Sequence, residues 1–250
     1  MDDIVSVADT RMDNVTFAFS IICQILTGIL SIIALSLTKQ KPPLLEIVLV
    51  TESSVQPVEF LWYLNTLRIW WGGDSVGVWT RYVDWFVTTP TMLFTLYCLI
   101  FYFNDSTYDA SILFHDSKGV YDGNKVQTVI TIFLCNLFML LCGFAVEVPK
   151  TWSFSIWQTK VVNNTHHLIL FGFFFLIVVF PVSYIPILNL YPSTGGWVLA
   201  SLTFVVWLAY GLVAMYANPA HRNAGYNILD VLSKNSMGIL VSLIVFFLPA

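Results

Sequence analysis

Apolar residues run through this 250-residue chain in seven long blocks, approximately 15 to 37, 43 to 64, 79 to 103, 126 to 147, 166 to 189, 196 to 217 and 225 to 249. Each is near the roughly 20 residues that carry an α-helix across a bilayer. In lipid the backbone must satisfy its own N–H and C=O groups, so blocks of this length predict helices. The expected fold is therefore all-α, one seven-transmembrane-helix bundle over residues 1–250, multi-pass and embedded in a lipid bilayer. Polar residues gather between the blocks: Lys39 and Lys41 after the first, and the stretch from Asn104 to Lys125 between the third and fourth. Arg11, Arg68, Lys150, Lys160 and Arg222 then fall on the opposite side, so the distribution of basic residues does not decide orientation.

The informative positions are the polar ones inside apolar blocks. The last block holds Asp230 and Lys234, four residues apart and so on one helix face. Either charge alone would cost about 3 kcal/mol at the middle of a membrane helix, and such residues usually serve a function. A membrane lysine beside a carboxylate is a candidate for Schiff-base chemistry, with a structural ion pair as the alternative. In the third block, WTRYVDWFVTTPTML places Arg81, Asp84 and Thr88 on neighbouring positions of one face. The second block contains three of the chain's four glutamates, Glu46, Glu52 and Glu59. Glu52, Gln56, Glu59 and Tyr63 recur at intervals of four, three and four, forming a polar stripe that cannot face lipid. Intramembrane carboxylates usually face a bundle interior or a water-filled cavity, so the stripe reads as a hydrated path.

Composition sharpens the class. Hydrophobic residues make up 57% and charged residues 10%, far from the roughly 25% charged content of soluble domains. The net charge of −4 argues against a nucleic-acid partner. All four cysteines fall inside apolar blocks and offer no disulfide framework. No metal site and no enzymatic activity are expected, since the loops supply no substrate-handling groups.

RYVDWFVTTP in the third helix and DVLSK in the seventh resemble the microbial (type 1) rhodopsins, in the correct helices and order. The resemblance implies all-trans retinal bound through a protonated Schiff base to Lys234, with Asp84 and Asp230 as counterions and Arg81 below them. The chemistry agrees, because a buried iminium needs carboxylates nearby to stay protonated. The resemblance further implies a pocket of Trp85, Trp207 and Tyr210 around the polyene, with Ser233 preceding the lysine. NLFMLLCG in the fourth helix matches the family's spacing for Asn136 as polar partner of Thr89, Met139 as a ring contact and Gly143 as the small residue that makes room for the ring.

Three positions depart from the family pattern. Gly211 replaces the proline that usually follows the sixth-helix aromatic, which suggests a softer hinge. The fifth helix has no tryptophan, leaving its pocket contribution unassigned. Thr95 stands eleven residues after Asp84, where bacteriorhodopsin-like proton pumps keep a carboxylic acid; threonine does not relay a proton by ionising at physiological pH. The glutamate stripe, and Asn235 directly after Lys234, are most similar to channelrhodopsins. That similarity implies a light-gated channel for transported ions, probed at Glu52, Glu59 and Asn235, with Ser20, Gln24 or Thr27 as a third gate member. Acidic residues along the path favour cations. A light-driven outward proton pump and a sensory rhodopsin are the alternatives. The family resemblance also suggests a plasma-membrane homo-oligomer, a dimer or trimer.

Overall fold

The computed structural model describes residues 2–37, 42–72, 77–116, 119, 122–148, 165–216 and 218–247. Lys39, Lys41, Lys150 and Lys160 lie outside the described residues, as does the side chain of Arg11. The first four spans are single helices: α1 (Asp2–Ser36), α2 (Pro43–Trp71), α3 (Arg81–Asn104) and α4 (Gly123–Glu147). The fifth span joins α5 (Thr165–Val179) to α6 (Ile185–Leu190) through a π-helical turn, Phe180–Tyr184. The sixth is α7 (Thr194–Tyr216). The seventh runs from α8 (Pro219–Asp230) through a second π-helical turn, Val231–Asn235, into α9 (Ser236–Phe247).

The helices extend past the apolar blocks: α2 continues beyond residue 64 to Trp71, and α8 starts at Pro219, ahead of residue 225. Among the described residues six spans are long and apolar enough to cross a membrane; α2 is not one of them. It has the length, 29 residues, but Glu46, Glu52, Glu59 and Arg68 interrupt its apolar run. The expectation of seven apolar blocks becomes six apolar spans and one half-polar helix. That helix is protected by its neighbours, since Glu52, Gln56, Glu59 and Tyr63 are all buried.

Consecutive spans pack side by side, and the first also packs against the seventh, so the bundle closes into a ring. The third span touches the second, fourth and sixth, which places Asp84 and Trp85 inside. Apolar side chains of the outer faces, such as Ile22, Ile32, Phe171 and Val205, stay exposed, as lipid contact requires. Polar clamps tie the ends. Glu147 at the end of α4 pairs with Arg222 in α8 at 2.7 Å. Lys125 is buried, and its ammonium donates to the carbonyls of Ile112 and His115, both at 2.7 Å, which pins the connection between the third and fourth spans. The rings of Phe101 and Tyr191 lie 4.9 and 4.8 Å from that nitrogen and supply cation–π contact.

Candidate functional site

Lys234 sits in the π-helical turn of the seventh span, almost wholly buried. A π turn inserts an extra residue into the helical register, so side chains beyond it point where a regular helix would not send them. Lys234 Nζ, the atom expected to become the imine nitrogen of a Schiff base, donates to Asp84 Oδ2 on the third span. It lies 3.7 Å from Asp230 Oδ1, four residues back on its own span, and 3.6 Å from Glu59 Oε1 on the second. The nearest carboxylate is thus Asp84 rather than the Asp230 neighbour favoured by sequence spacing. Glu59, expected along an ion path, instead completes a ring of three acids about one nitrogen.

Asp230 is held from two sides. Arg81 Nη1 donates to Oδ2 at 2.9 Å, while Tyr210 Oη and Trp85 Nε1 donate to Oδ1 at 2.7 and 3.2 Å. The Tyr210 hydroxyl also lies 2.9 Å from Ser233 Oγ. Arg81 therefore pairs with the seventh span and not with Asp84 on its own helix. Its guanidinium is fixed further by Asn227 Oδ1, by the Asn223 carbonyl at 3.4 Å and by the Trp62 ring at 4.7 Å. Asn227 in turn donates to Thr16 Oγ1 at 3.0 Å, so the first span braces the arginine. Nothing in the sequence pattern singles out Asn223, Asn227 or Trp62; they reach Arg81 only because the second span packs beside the third and the long guanidinium arm crosses to the seventh.

A cavity opens from Lys234 between the third, fourth, fifth, sixth and seventh spans. The third contributes Trp85 and Thr89, the fourth Met139 and Gly143, the sixth Trp207 and Tyr210, and the seventh Ser233 and Lys234. Asn136 stands behind this wall, where its Nδ2 donates to Thr89 Oγ1 at 3.0 Å. Two expectations change. The space beside Gly143 is taken by the Tyr82 hydroxyl, which a Cβ there would strike, so this glycine admits a tyrosine as well as bordering the cavity. Gly211 has a packing role that the hinge expectation did not include: the ring of Phe173 occupies the place of its missing side chain.

Phe173 also answers for the fifth span, whose lining residues are Ile169, Gly172, Phe173 and Leu176. Sequence reading missed them because α5 is apolar on every face, so no polar contrast marks the inward positions. Gly211→Ala should therefore lower pigment yield and thermal stability, by about 1–3 kcal/mol for an overpacked core. Phe173→Leu in the same chain should restore most of the loss, as read from absorbance per milligram and the thermal midpoint.

The cavity is mainly apolar and ends at an amine ringed by acids, the pairing of apolar walls with a few polar groups that marks small-molecule sites. Those features fit a long conjugated aldehyde condensed with the lysine: apolar walls for the polyene, carboxylates for the iminium charge. The description "Bacteriorhodopsin-like protein" matches residues 11–247. The chain belongs to the bacteriorhodopsin-like family. Members carry all-trans retinal as a Schiff base on a lysine, and Lys234 is the lysine at which this cavity ends.

Solved structures agree in fold. A viral rhodopsin, OLPVRII, is 21% identical with a TM-score of 0.67, over 94% of this chain and 97% of its own. Halorhodopsin from Halobacterium salinarum is 15% identical with a TM-score of 0.70, over 96% of both chains. Xanthorhodopsin, described as a light-driven ion pump with a dual chromophore, is 16% identical with a TM-score of 0.67, over 95% of this chain and 93% of its own. No curated protein matches the chain by sequence.

Proposed function

We propose that this retinal protein is a light-gated ion channel of the plasma membrane, conducting cations along a seam between its first, second and seventh spans. Retinal supplies the light-driven change of shape; the surrounding residues convert it into a change of charge and hydrogen bonding. Asp84 Oδ2, already bonded to Lys234 Nζ, is placed to take the nitrogen's proton, and Asp230, held by Arg81, Tyr210 and Trp85, keeps its charge beside it. Trp85, Thr89, Met139, Gly143, Trp207, Tyr210 and Ser233 form the pocket, with Asn136 behind Thr89.

The observation that carries the channel reading is a run of buried polar side chains outside that pocket. Ser20, Gln24, Thr27 and Ser31 line one face of α1, opposite Glu52, Gln56, Glu59, Tyr63 and Thr66 on α2. Several of their polar atoms have no hydrogen-bond partner: Ser31 Oγ, both oxygens of Glu52 and of Glu59, Gln56 Nε2, Tyr63 Oη and Thr66 Oγ1. Buried polar atoms are nearly always satisfied, so a run of unsatisfied ones fits a path that water enters. The path is closed next to Lys234. Asn235 Nδ2 donates to Gln24 Oε1 at 3.1 Å and Thr27 Oγ1 at 3.2 Å, while Gln24 Nε2 donates to Gln56 Oε1 at 2.7 Å.

This knot supports a gate built differently from the one expected around Glu52. Glu52 takes no hydrogen bond from Asn235, because the Gln24 and Thr27 side chains occupy the asparagine's amide. Ser20 serves elsewhere, donating to the Asn227 carbonyl at 3.0 Å. On this reading the closed gate is amide to amide, with Glu52 one layer away and turned toward Thr95 on the third span. Loss of positive charge at Lys234 changes the field on the adjacent Asn235, the link by which light would loosen the knot.

A voltage series of photocurrents in two ionic gradients tests the reading. The current of a channel reverses sign near the equilibrium potential of the conducted ion, and Glu52→Gln should change conductance or selectivity several-fold while the pigment stays coloured. A current that keeps one direction at every voltage would replace the channel by an outward proton pump. One observation favours that second reading: the Glu52 carboxyl faces the buried Thr95 hydroxyl, so a carboxyl from the second span stands near the position where pumps hold theirs on the third.

A further inference from the structure

The cluster at Lys234 contains two cations, Lys234 and Arg81, and three carboxyls, Asp84, Asp230 and Glu59, all buried. Fully ionised, it would hold one uncompensated negative charge in a medium where an unpaired ion costs several kcal/mol. Neutrality requires one proton among the three acids. Their surroundings differ sharply. Asp230 accepts from Arg81, Tyr210 and Trp85, and Asp84 accepts from Lys234. Glu59 is 0% exposed and neither of its oxygens accepts a hydrogen bond. Removing the charge from Glu59 gives up only its longer 3.6 Å ion contact with Lys234, whereas removing it from either aspartate weakens shorter, directed hydrogen bonds already made.

Glu59 is also within reach of the reacting atom, with Oε1 3.6 Å from Lys234 Nζ. It approaches from the second span, whereas Asp84 comes from the third. No acid stands at residue 95, eleven positions beyond Asp84, to return a proton from further along that helix. We propose that Glu59 is the proton-bearing acid of the resting cluster and the internal donor that restores the proton to the Lys234 nitrogen. The steps balance. The N–H bond at Lys234 breaks and an O–H bond forms on Asp84; the Glu59 O–H bond then breaks as N–H reforms; finally Asp84 passes its proton to Glu59. The cluster stays neutral throughout, and the cycle closes without moving a proton across the membrane. This rests on the retinal linkage at Lys234 and is independent of whether the chain conducts.

Infrared difference spectroscopy and flash photolysis on the chain reconstituted with all-trans retinal test the assignment. Glu59→Gln should remove one carboxylic C=O band, leave the visible maximum near that of the parent, and slow reprotonation of the nitrogen by at least about tenfold, the scale of a lost general acid. Reprotonation in this variant should also become dependent on bulk pH. Glu59→Asp, which keeps the acid on a shorter arm, should retain a C=O band and recover part of the rate. Should Glu59→Gln fold poorly, the aspartate variant alone decides, because an unchanged rate there would contradict a distance-sensitive donor. The proposal is overturned if Glu59→Gln shifts the visible maximum as far as Asp84→Asn does, since Glu59 would then be ionised at rest. It is equally overturned if the C=O band or the reprotonation rate is unchanged. A parent chain that forms no pigment would overturn the retinal linkage itself, a failure visible before any variant is made.

Discussion

Lys234→Ala should yield a colourless protein: no visible band on addition of all-trans retinal and no photocurrent, with helix content unchanged. The reasoning is covalent. The cavity ends at Lys234 Nζ, and among the residues lining it this is the one primary amine able to condense with an aldehyde. Removing the side chain also removes the cation facing Asp84, Asp230 and Glu59, so loss of colour through misfolding must be separated from loss of the linkage. Lys234→Arg makes that separation. It keeps a cation opposite the acids but presents a guanidinium, which stays protonated and forms no imine under these conditions. Both variants should be colourless and the arginine variant should fold, as judged by circular dichroism and a symmetric elution profile. A visible band surviving in either would place the chromophore elsewhere.

Arg81→Gln should be the most destabilising single change outside the lysine. The guanidinium is 3% exposed and joins the third span to Asp230, Asn223 and Asn227 of the seventh. Breaking a buried pair by removing one partner typically costs about 3–5 kcal/mol, because the other charge is left uncompensated. Glutamine is similar in length but carries no charge, leaving Asp230 dependent on Tyr210 and Trp85. Thermal bleaching of the reconstituted pigment and unfolding in mixed micelles should both show the loss. Arg81→Lys should recover only part of it, since a single ammonium cannot span carboxylate and amide partners as a planar fork does. Equal stability of parent and Arg81→Gln would mean the bridge is electrostatically idle.

Much of the site is legible in order along the chain. Lys234, Asp230, Asp84 and Arg81 stand out because charges are expensive inside apolar blocks, and RYVDWFVTTP and DVLSK tie them to the third and seventh helices of a known family. The stripe of Glu52, Gln56, Glu59 and Tyr63 is visible for the same reason. Legibility stops at partner choice. Spacing alone pairs Arg81 with Asp84 and Lys234 with Asp230, since residues three and four apart are neighbours on a helix. Packing crosses these pairs over, giving Arg81 to Asp230 and Lys234 to Asp84. The π turn at Val231–Asn235 contributes by altering the register at the lysine, a local distortion that hydropathy does not encode.

The glycines make the same point. Gly143 reads as a small residue that makes room for a ring and Gly211 as a softened hinge, but what fills the space beside each, Tyr82 and Phe173, comes from other spans. Likewise Gln24 and Thr27 are two of several polar residues on α1, separated from Ser20 only when Asn235 is seen to bond them.

By itself the sequence determined seven helices, a membrane setting, the lysine proposed to form the imine and the acids that accompany it, because hydropathy and the cost of buried charge act locally and leave a periodic record. The tertiary structure decided which acid meets which cation, that Glu59 joins them, and that Asn235 bonds Gln24 and Thr27 rather than Glu52. Those are contacts between side chains far apart in sequence, set by how neighbouring helices pack and turn, and no single helix carries them.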